Sequence, residues 1–255
     1  MTLVCVTGSA GGIGSATRRR LEAAGDTVVG VDVRDAEVIA DLGSPEGRAA
    51  MVEAVTELSG GRLDGLVAGA GVTHDDGRLV TAINYFGAIA TLEGLRPLLA
   101  HGEGASAVAI SSNSTTTQPG LPLHVVEACL AGDEAAALEV AGDGVGAYAA
   151  SKLALARWVR RQAGTEAWAG SGIRLNAVAP GLIATPMTED IQDMVLGLGD
   201  IFPIPARRAG TADEVGALVT FLLGPDAGFF CGTVVTMDGG TDAALRADDW
   251  PIALP

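Results

Sequence analysis

The fold this sequence predicts is α/β: a doubly wound parallel sheet with helices on both faces. Three observations predict it. Short β-branched runs alternate with segments of helical length along the whole chain, which is the pattern of parallel strands joined by crossover helices. The first run ends in a glycine-rich turn that opens a helix. No linker or internal repeat divides the 255 residues, so one domain, 1–255, with a large buried core is expected.

The elements follow in order. LVCVTG at 3–8 is a buried strand ending at glycine, and 15–24 is a helix closed by Gly25. TVVGVD at 27–32 is a second strand and EVIAD at 37–41 a short third. Ser44 and Pro45 begin a helix reaching Leu58, the serine as cap and the proline at the first position. LDGLVAG at 63–69 is strand four, 81–100 a helix, and AVAISS at 107–112 strand five. A long helix covers 146–169, and IRLNAVAP at 173–180 is strand six. A capped helix at 211–223 precedes the last strand at 232–240. Two excursions interrupt the alternation, an insertion at 113–145 and a segment at 181–206 that reads as a lid; loops of that length inside a compact domain usually carry function.

Composition excludes several classes. A hydrophobic content of 48% is globular, and a formal charge of −15 leaves no basic stripe for nucleic acid. The basic runs at 18–20 and 160–161 read as solvated helix faces. Cys5, Cys129 and Cys231 are scattered and odd in number, which argues against a disulfide framework or a zinc site. His74, His101 and His124 show no triad or metal spacing, Gly-x-Ser-x-Gly is absent, and no metal is expected. The N-terminus lacks a basic leader region and no apolar run is long enough to span a membrane. The expectation is a cytoplasmic protein with neither membrane nor nucleic-acid partners.

TGSAGGIG at 7–14 links the first strand to the first helix. Gly8 permits the tight turn, Gly12 a close approach to a pyrophosphate, and Gly14 close helix–strand packing. The helix N-terminus then offers free N–H groups to phosphate. Asp32 ends the second strand, where a carboxylate accepts from the adenosine ribose 2′-OH and repels a 2′-phosphate, favouring NAD over NADP. Arg34, two residues on, is the counter-argument, unless a nearby acid pairs with it.

Lys152 is the only lysine in the chain, and it stands four residues after Tyr148, one of only two tyrosines. Residues four apart share a helix face. An ammonium roughly 4–5 Å from a phenol, at an effective dielectric of about 20, favours phenolate by roughly 3–4 kcal/mol. The expectation is therefore a Tyr148 with a lowered pKa, poised as a general acid/base. Lysine's compact three-donor head can also hold ribose hydroxyls, which arginine's planar fork would not reproduce.

Five ordered motifs, TGSAGGIG, NYFG at 84–87, ISS at 110–112, YAASK at 148–152 and NAVAPG at 176–181, resemble the short-chain dehydrogenase/reductases across essentially the whole chain. The segment 29–42, the NYFGA motif and the long insertion between serine and tyrosine resemble the bacterial 3α-hydroxysteroid dehydrogenase/carbonyl reductase subgroup. The resemblance implies a Rossmann-type fold with a seven-stranded sheet and a catalytic set of Asn84, Ser112, Tyr148 and Lys152. It implies an NAD site formed by Gly8, Gly12, Ile13, Gly14, Asp32, Asp41, Leu42, Ala70, Gly71, Tyr148, Lys152, Pro180, Gly181, Ile183 and Thr185. In it, Ser112 orients the substrate oxygen and Asn84 supports a proton relay through water to Lys152; by residue type alone Ser111 and Ser114 are rivals to Ser112. One motif departs from the family: Ala68-Gly69-Ala70-Gly71 stands where Asn-Asn-Ala-Gly is usual, which removes two bracing amides.

The expected activity is NAD-dependent interconversion of a secondary alcohol and a ketone. Met187, Ile191, Met194, Val195, Leu198, Ile201 and Phe202 form an apolar helical stripe in the lid. Laid over the site it would suit a bulky apolar alcohol such as a 3α-hydroxysteroid; alternatively it packs on the protein itself. The competing functions are turnover of another alcohol or carbonyl, including a 3-oxoacyl thioester, and a silent nicotinamide-binding sensor. The insertion, PLHVVEACLAGDEAAALEVA with a break at Gly132, reads as a helical hairpin against the Tyr148 helix. It is expected to turn the usual homotetramer towards a homodimer.

Overall fold

The structure, a computed structural model, describes residues 2–142, 144 and 146–249. The role of the C-terminal tail from 250 onward lies outside the described residues. In chain order the strands are β1 (Leu3–Thr7), β2 (Thr27–Asp32), β3 (Val38–Ile39), β4 (Gly65–Ala68), β5 (Ser106–Ile110), β6 (Arg174–Pro180), β7 (Ile183–Ala184), β8 (Gly210–Thr211) and β9 (Val234–Met237). The helices are α1 (Gly12–Ala23), α2 (Pro45–Leu58), α3 (Gly77–Thr81), α4 (Ala88–Leu99), α5 (Ser114–Thr117), α6 (Leu123–Ala131), α7 (Glu134–Ala141), α8 (Ala147–Ala163), α9 (Gln192–Leu196), α10 (Ala212–Leu223) and α11 (Thr241–Leu245).

Seven strands form one parallel sheet in the order β3-β2-β1-β4-β5-β6-β9. The order reverses between β1 and β4, which opens a crevice at their carboxyl ends. Side chains alternate across the sheet between two cores. Cys5, Leu66, Ala107 and Leu175 join the core beneath α2, α4 and α8, whereas Val4, Val67, Val108 and Val178 join the core beneath α1 and α10. A strand buried on both faces has no polar side, so these runs are continuously apolar instead of alternating.

Element types agree with the sequence reading, and boundaries differ where glycine decides them. The first helix starts at Gly12, three residues early, because bare Cα atoms let the turn tighten straight into helix. The Tyr148 helix ends at Ala163 rather than 169, broken at Gly164. Asp76 caps a helix beginning at Gly77, and a π-helical turn, Ala82–Gly87, joins it to α4. Strand five stops at Ile110, leaving Ser111 and Ser112 just beyond the sheet.

The insertion is the expected hairpin, with Gly132 at φ 79° between α6 and α7. Val125, Val126 and Cys129 of α6 enter the same core as Leu155 and Trp158 of α8. The hairpin is also tied to α2: Arg48 donates to Glu134 through two nitrogens at 2.7 and 2.5 Å. No helix among the described residues is long and apolar enough to cross a membrane.

Candidate active site

All the predicted site residues lie along the carboxyl edge of the sheet or on helices reaching it. Gly8, Gly12, Ile13 and Gly14 follow β1; Asp32 ends β2; Asp41 and Leu42 follow β3; Ala70 and Gly71 follow β4; and Ser112 follows β5. Pro180 ends β6, with Gly181, Ile183 and Thr185 beyond it. Asn84 sits in the π-helical turn, a feature frequent at functional sites.

The glycine loop is shaped by contacts that forbid side chains. Gly8 has φ 74°, and a Cβ there would stand 2.9 Å from the Ala70 backbone; one on Gly14 would stand 2.0 Å from the Gly8 oxygen. A Cβ on Gly12 would stand 2.6 Å from the Thr185 methyl, so this glycine admits the lid's own threonine to the loop. No side chain caps α1, which leaves the N–H groups of its first turn facing outward. Asp32 braces the loop by accepting from Ala10 N at 3.0 Å and from Val33 N at 2.7 Å. These features fit a dinucleotide: an uncapped helix start for phosphate, and a carboxylate at the end of the second strand for a ribose.

The missing amides after β4 have replacements. Thr7 Oγ1 accepts from Gly69 N at 3.1 Å and from Ala70 N at 3.3 Å. Asn84 Oδ1 accepts from Val72 N at 2.8 Å, and its Nδ2 donates to Val72 O at 3.0 Å. The Asn84 amide is thus committed to the loop backbone. It still borders the lysine, since a Cβ on Gly71 would lie 3.1 Å from both Asn84 Oδ1 and Lys152 Nζ.

Ser112, Tyr148 and Lys152 come together. The buried Ser112 hydroxyl is near enough to the Tyr148 phenol to oppose the rise in its pKa, and Lys152 Nζ lies 5.9 Å from the centroid of the Tyr148 ring. The rival serines separate here. Ser111 is structural, its hydroxyl donating to the Lys152 carbonyl at 2.9 Å, while Ser114 Oγ is buried with no partner among the described residues.

Electrostatics corrects one expectation. Burial raises the Tyr148 pKa, opposed only by the Ser112 hydrogen bond. Burial also lowers Lys152 to about 8. The predicted lowering of the tyrosine fails because desolvation disfavours both charges, and because the ammonium donates to Ile110 O at 2.8 Å rather than to the phenol.

The lid is pinned at both ends and open in the middle. Gly181 N donates to Met237 O, Ala206 N to Gly239 O, and β7 pairs with β8. Gly197 and Gly199 flank short helical turns, so the apolar stripe is not one continuous helix. Met187, Ile191, Met194, Leu198 and Ile201 are exposed, Ile201 at 79%, while Val195 and Phe202 are half-buried, so most of the stripe does not pack onto the protein itself. His74, His101 and His124 are all on the surface. Sequence reading gave no role to Thr7, although it opens the glycine motif, or to the groove residues Arg18 and Glu37, and it left Ser111 as a rival to Ser112.

Comparison with known proteins agrees with this geometry. Residues 2–122 match the family model described as short chain dehydrogenase, and 134–242 one described as enoyl-(acyl carrier protein) reductase. The chain is 40% identical to 3-alpha-hydroxysteroid dehydrogenase/carbonyl reductase of Comamonas testosteroni, over 96% of this chain and 98% of that one. It is 32% identical to coniferyl-alcohol dehydrogenase of a Pseudomonas strain, over 93% and 95% of the two chains. Among solved structures, 3-alpha-hydroxysteroid dehydrogenase from Pseudomonas sp. B-0831, complexed with NADH, superposes with a TM-score of 0.89 at 44% identity, covering 98% of this chain and all of that one. The chain belongs to the short-chain dehydrogenase/reductase family of oxidoreductases.

Proposed function

We propose that this protein is an NAD-dependent dehydrogenase interconverting a secondary alcohol and a ketone, with a 3α-hydroxysteroid or a similarly bulky apolar alcohol as substrate. The observation that carries this reading is the convergence of Ser112, Tyr148 and Lys152 at the edge where the glycine loop and Asp32 form a dinucleotide cradle. The bound nicotinamide would supply hydride transfer. The chain supplies the proton chemistry and the positioning.

Tyr148 removes the hydroxyl proton of the alcohol, or returns one to the ketone oxygen. Ser112, beside the phenol, holds the substrate oxygen next to it. Lys152 keeps a positive charge near the tyrosine ring and offers ribose hydroxyls its remaining donors. Asn84 stiffens the loop that carries Ala70 and Gly71. Gly8, Gly12, Ile13 and Gly14 would hold the pyrophosphate, Asp41 and Leu42 would border the adenine, and Pro180, Gly181, Ile183 and Thr185 would flank the nicotinamide. The exposed lid side chains give an apolar substrate a surface to bury. The steroid lean draws support from the names of the Comamonas and Pseudomonas relatives. An acyl-carrier substrate is disfavoured, because a chain of net charge −15 offers an acidic carrier no basic docking patch.

The free thiols Cys5, Cys129 and Cys231 suit a reducing, cytoplasmic setting. With the hairpin covering α8, a second copy has the exposed Phe221, Phe229 and Phe230 beside edge strand β9 as its apolar contact, which favours a homodimer. Light scattering that shows a monomer or a tetramer would overturn the dimer.

The test of function is absorbance of the reduced nicotinamide with NAD⁺ or NADP⁺ and a panel of 3α-hydroxysteroids, aromatic and cyclic alcohols, and hydroxyacyl thioesters. Reduction of NAD⁺ by a 3α-hydroxysteroid is the expected outcome. Turnover of another alcohol alone would keep the mechanism and remove the steroid reading. NADH binding without any turnover would support the sensor reading.

A further inference from the structure

Next to Asp32 the surface opens into a groove of about 640 Å³ whose walls include Ser9, Ala10, Arg18, Asp35 and Glu37. The two sites are contiguous, because Ala10 N donates to Asp32 Oδ2. A carboxylate that accepts from a ribose 2′-hydroxyl marks the place where a 2′-phosphate would stand, so the groove is where that phosphate would enter.

The groove holds the parts of a phosphate site, and one acid occupies them. Arg18 Nη1 and Nη2 donate to the two Glu37 oxygens at 2.8 and 2.7 Å, and its Nε donates to Glu22 at 2.8 Å. Each guanidinium nitrogen thereby donates to a carboxylate. Glu37 is itself fixed, since Oε2 also accepts from Gly30 N at 2.8 Å. Ser9 Oγ is buried and has no hydrogen-bond partner among the described residues. It converges with Arg18 Nη1 and Glu37 Oε2 above the Gly30 Cα, where a Cβ would stand 2.6, 2.7 and 2.8 Å from the three atoms. Asp35, held at φ 51°, adds a further negative charge to the rim. Arg34, the basic residue that the sequence pointed to, is exposed and forms no ion pair among the described residues.

We infer that Glu37 is a specificity-determining residue: by engaging both terminal nitrogens of Arg18 and adding its own charge, it withholds a guanidinium–hydroxyl pair that would otherwise receive the 2′-phosphate of NADP. Asp32 then repels the phosphate directly, and Glu37 occupies Arg18, the one cation among the described residues that line the groove. The inference rests on the dinucleotide reading given above.

Fluorescence titration with NADH and NADPH, read as a ratio of dissociation constants, tests it without turnover. Glu37→Gln keeps an oxygen for Gly30 N and removes the charge. It should move the ratio toward NADPH by up to about fivefold, the upper scale of an exposed charge pair. Glu37→Ala, measured in parallel, should move it the same way and covers the case in which glutamine refills the fork. Adding Arg18→Met to Glu37→Gln should cancel the gain. Unchanged ratios in both single variants, or a gain that survives loss of Arg18, would overturn the inference while leaving the dinucleotide site intact. A wild-type chain that binds neither nucleotide would overturn the dinucleotide reading and this inference with it.

Discussion

Lys152 and Ile110 are joined across the sheet edge: the lysine Nζ donates to the Ile110 carbonyl oxygen at 2.8 Å. One residue on, the Ser111 hydroxyl donates to the Lys152 carbonyl at 2.9 Å. The end of β5 therefore grips both the head and the backbone of the lysine. The ammonium stays near the Tyr148 ring without bonding to its oxygen, and Ser112, next in the chain, is carried to the phenol. A buried ammonium held by a neutral carbonyl is poorly compensated, which is why burial brings Lys152 down to about 8.

This burial links stability to pH. The folded pKa of about 8 lies below the unfolded value near ~10.4, so between them the unfolded chain binds more protons. Stability should rise with pH across that window, by up to about 3 kcal/mol from this residue. Tyr148, whose pKa is raised, contributes in the opposite sense, losing stability above ~10. Cys5 and Cys129, raised by burial to about 12, lose stability from ~8.5 upward, so the lysine is read by difference: in urea denaturation at a series of pH values the wild type should gain stability relative to Lys152→Met from pH 8 to 10.

Removing the phenol oxygen should separate chemistry from binding. Tyr148→Phe keeps the ring and its packing, and should lower the rate of alcohol oxidation by about 10²–10⁴-fold, the usual share of a positioned acid/base. NADH titration of the same variant should remain close to wild type. Comparable losses in both measurements would mean that Tyr148 builds the site rather than acting in it.

Thr7 stands in for the bracing amides that the loop after β4 lacks. Thr7→Val keeps the shape and leaves Gly69 N and Ala70 N without their acceptor. The expected cost is about 1–3 kcal/mol in urea denaturation, together with weaker NADH binding, because Ala70 and Gly71 border the cradle. Unaltered stability would show that water replaces the hydroxyl.

The hairpin is fastened through Arg48 and Glu134, side chains only 9% and 28% exposed. Glu134→Ala should cost about 3 kcal/mol, toward the low end for breaking a buried pair. Arg48 retains the Leu42 and Gly43 carbonyls and lies 6.0 Å from the Phe86 ring centroid, so it is not left bare. Arg48→Met combined with Glu134→Leu should restore most of the loss, as read by the denaturation midpoint.

The sequence by itself determined the element types, the doubly wound sheet and which motif residues stand at its carboxyl edge. Continuous apolar runs can only be strands buried on both faces, and glycine spacing together with the lone lysine four residues after Tyr148 leaves few other placements. Carboxyl ends of parallel strands then collect the motifs at one edge without any knowledge of contacts. Tertiary structure alone decided what each side chain touches. Ser111 and Ser112 are identical in type and adjacent in chain, and they part only because one bonds the Lys152 carbonyl while the other stands by the Tyr148 phenol. Tyr148 was expected at a lowered pKa from charge proximity, but burial raises it, opposed only by Ser112, and burial belongs to the packed interior rather than to the spacing. Arg34 is nearer Asp32 in the chain than Arg18, yet only Arg18 stands in the groove, because α1 returns over the strand that Asp32 ends. Such long-range juxtapositions, Thr7 with Gly69 and Arg48 with Glu134 among them, leave no local pattern, since they arise from how elements pack and not from the residues beside them.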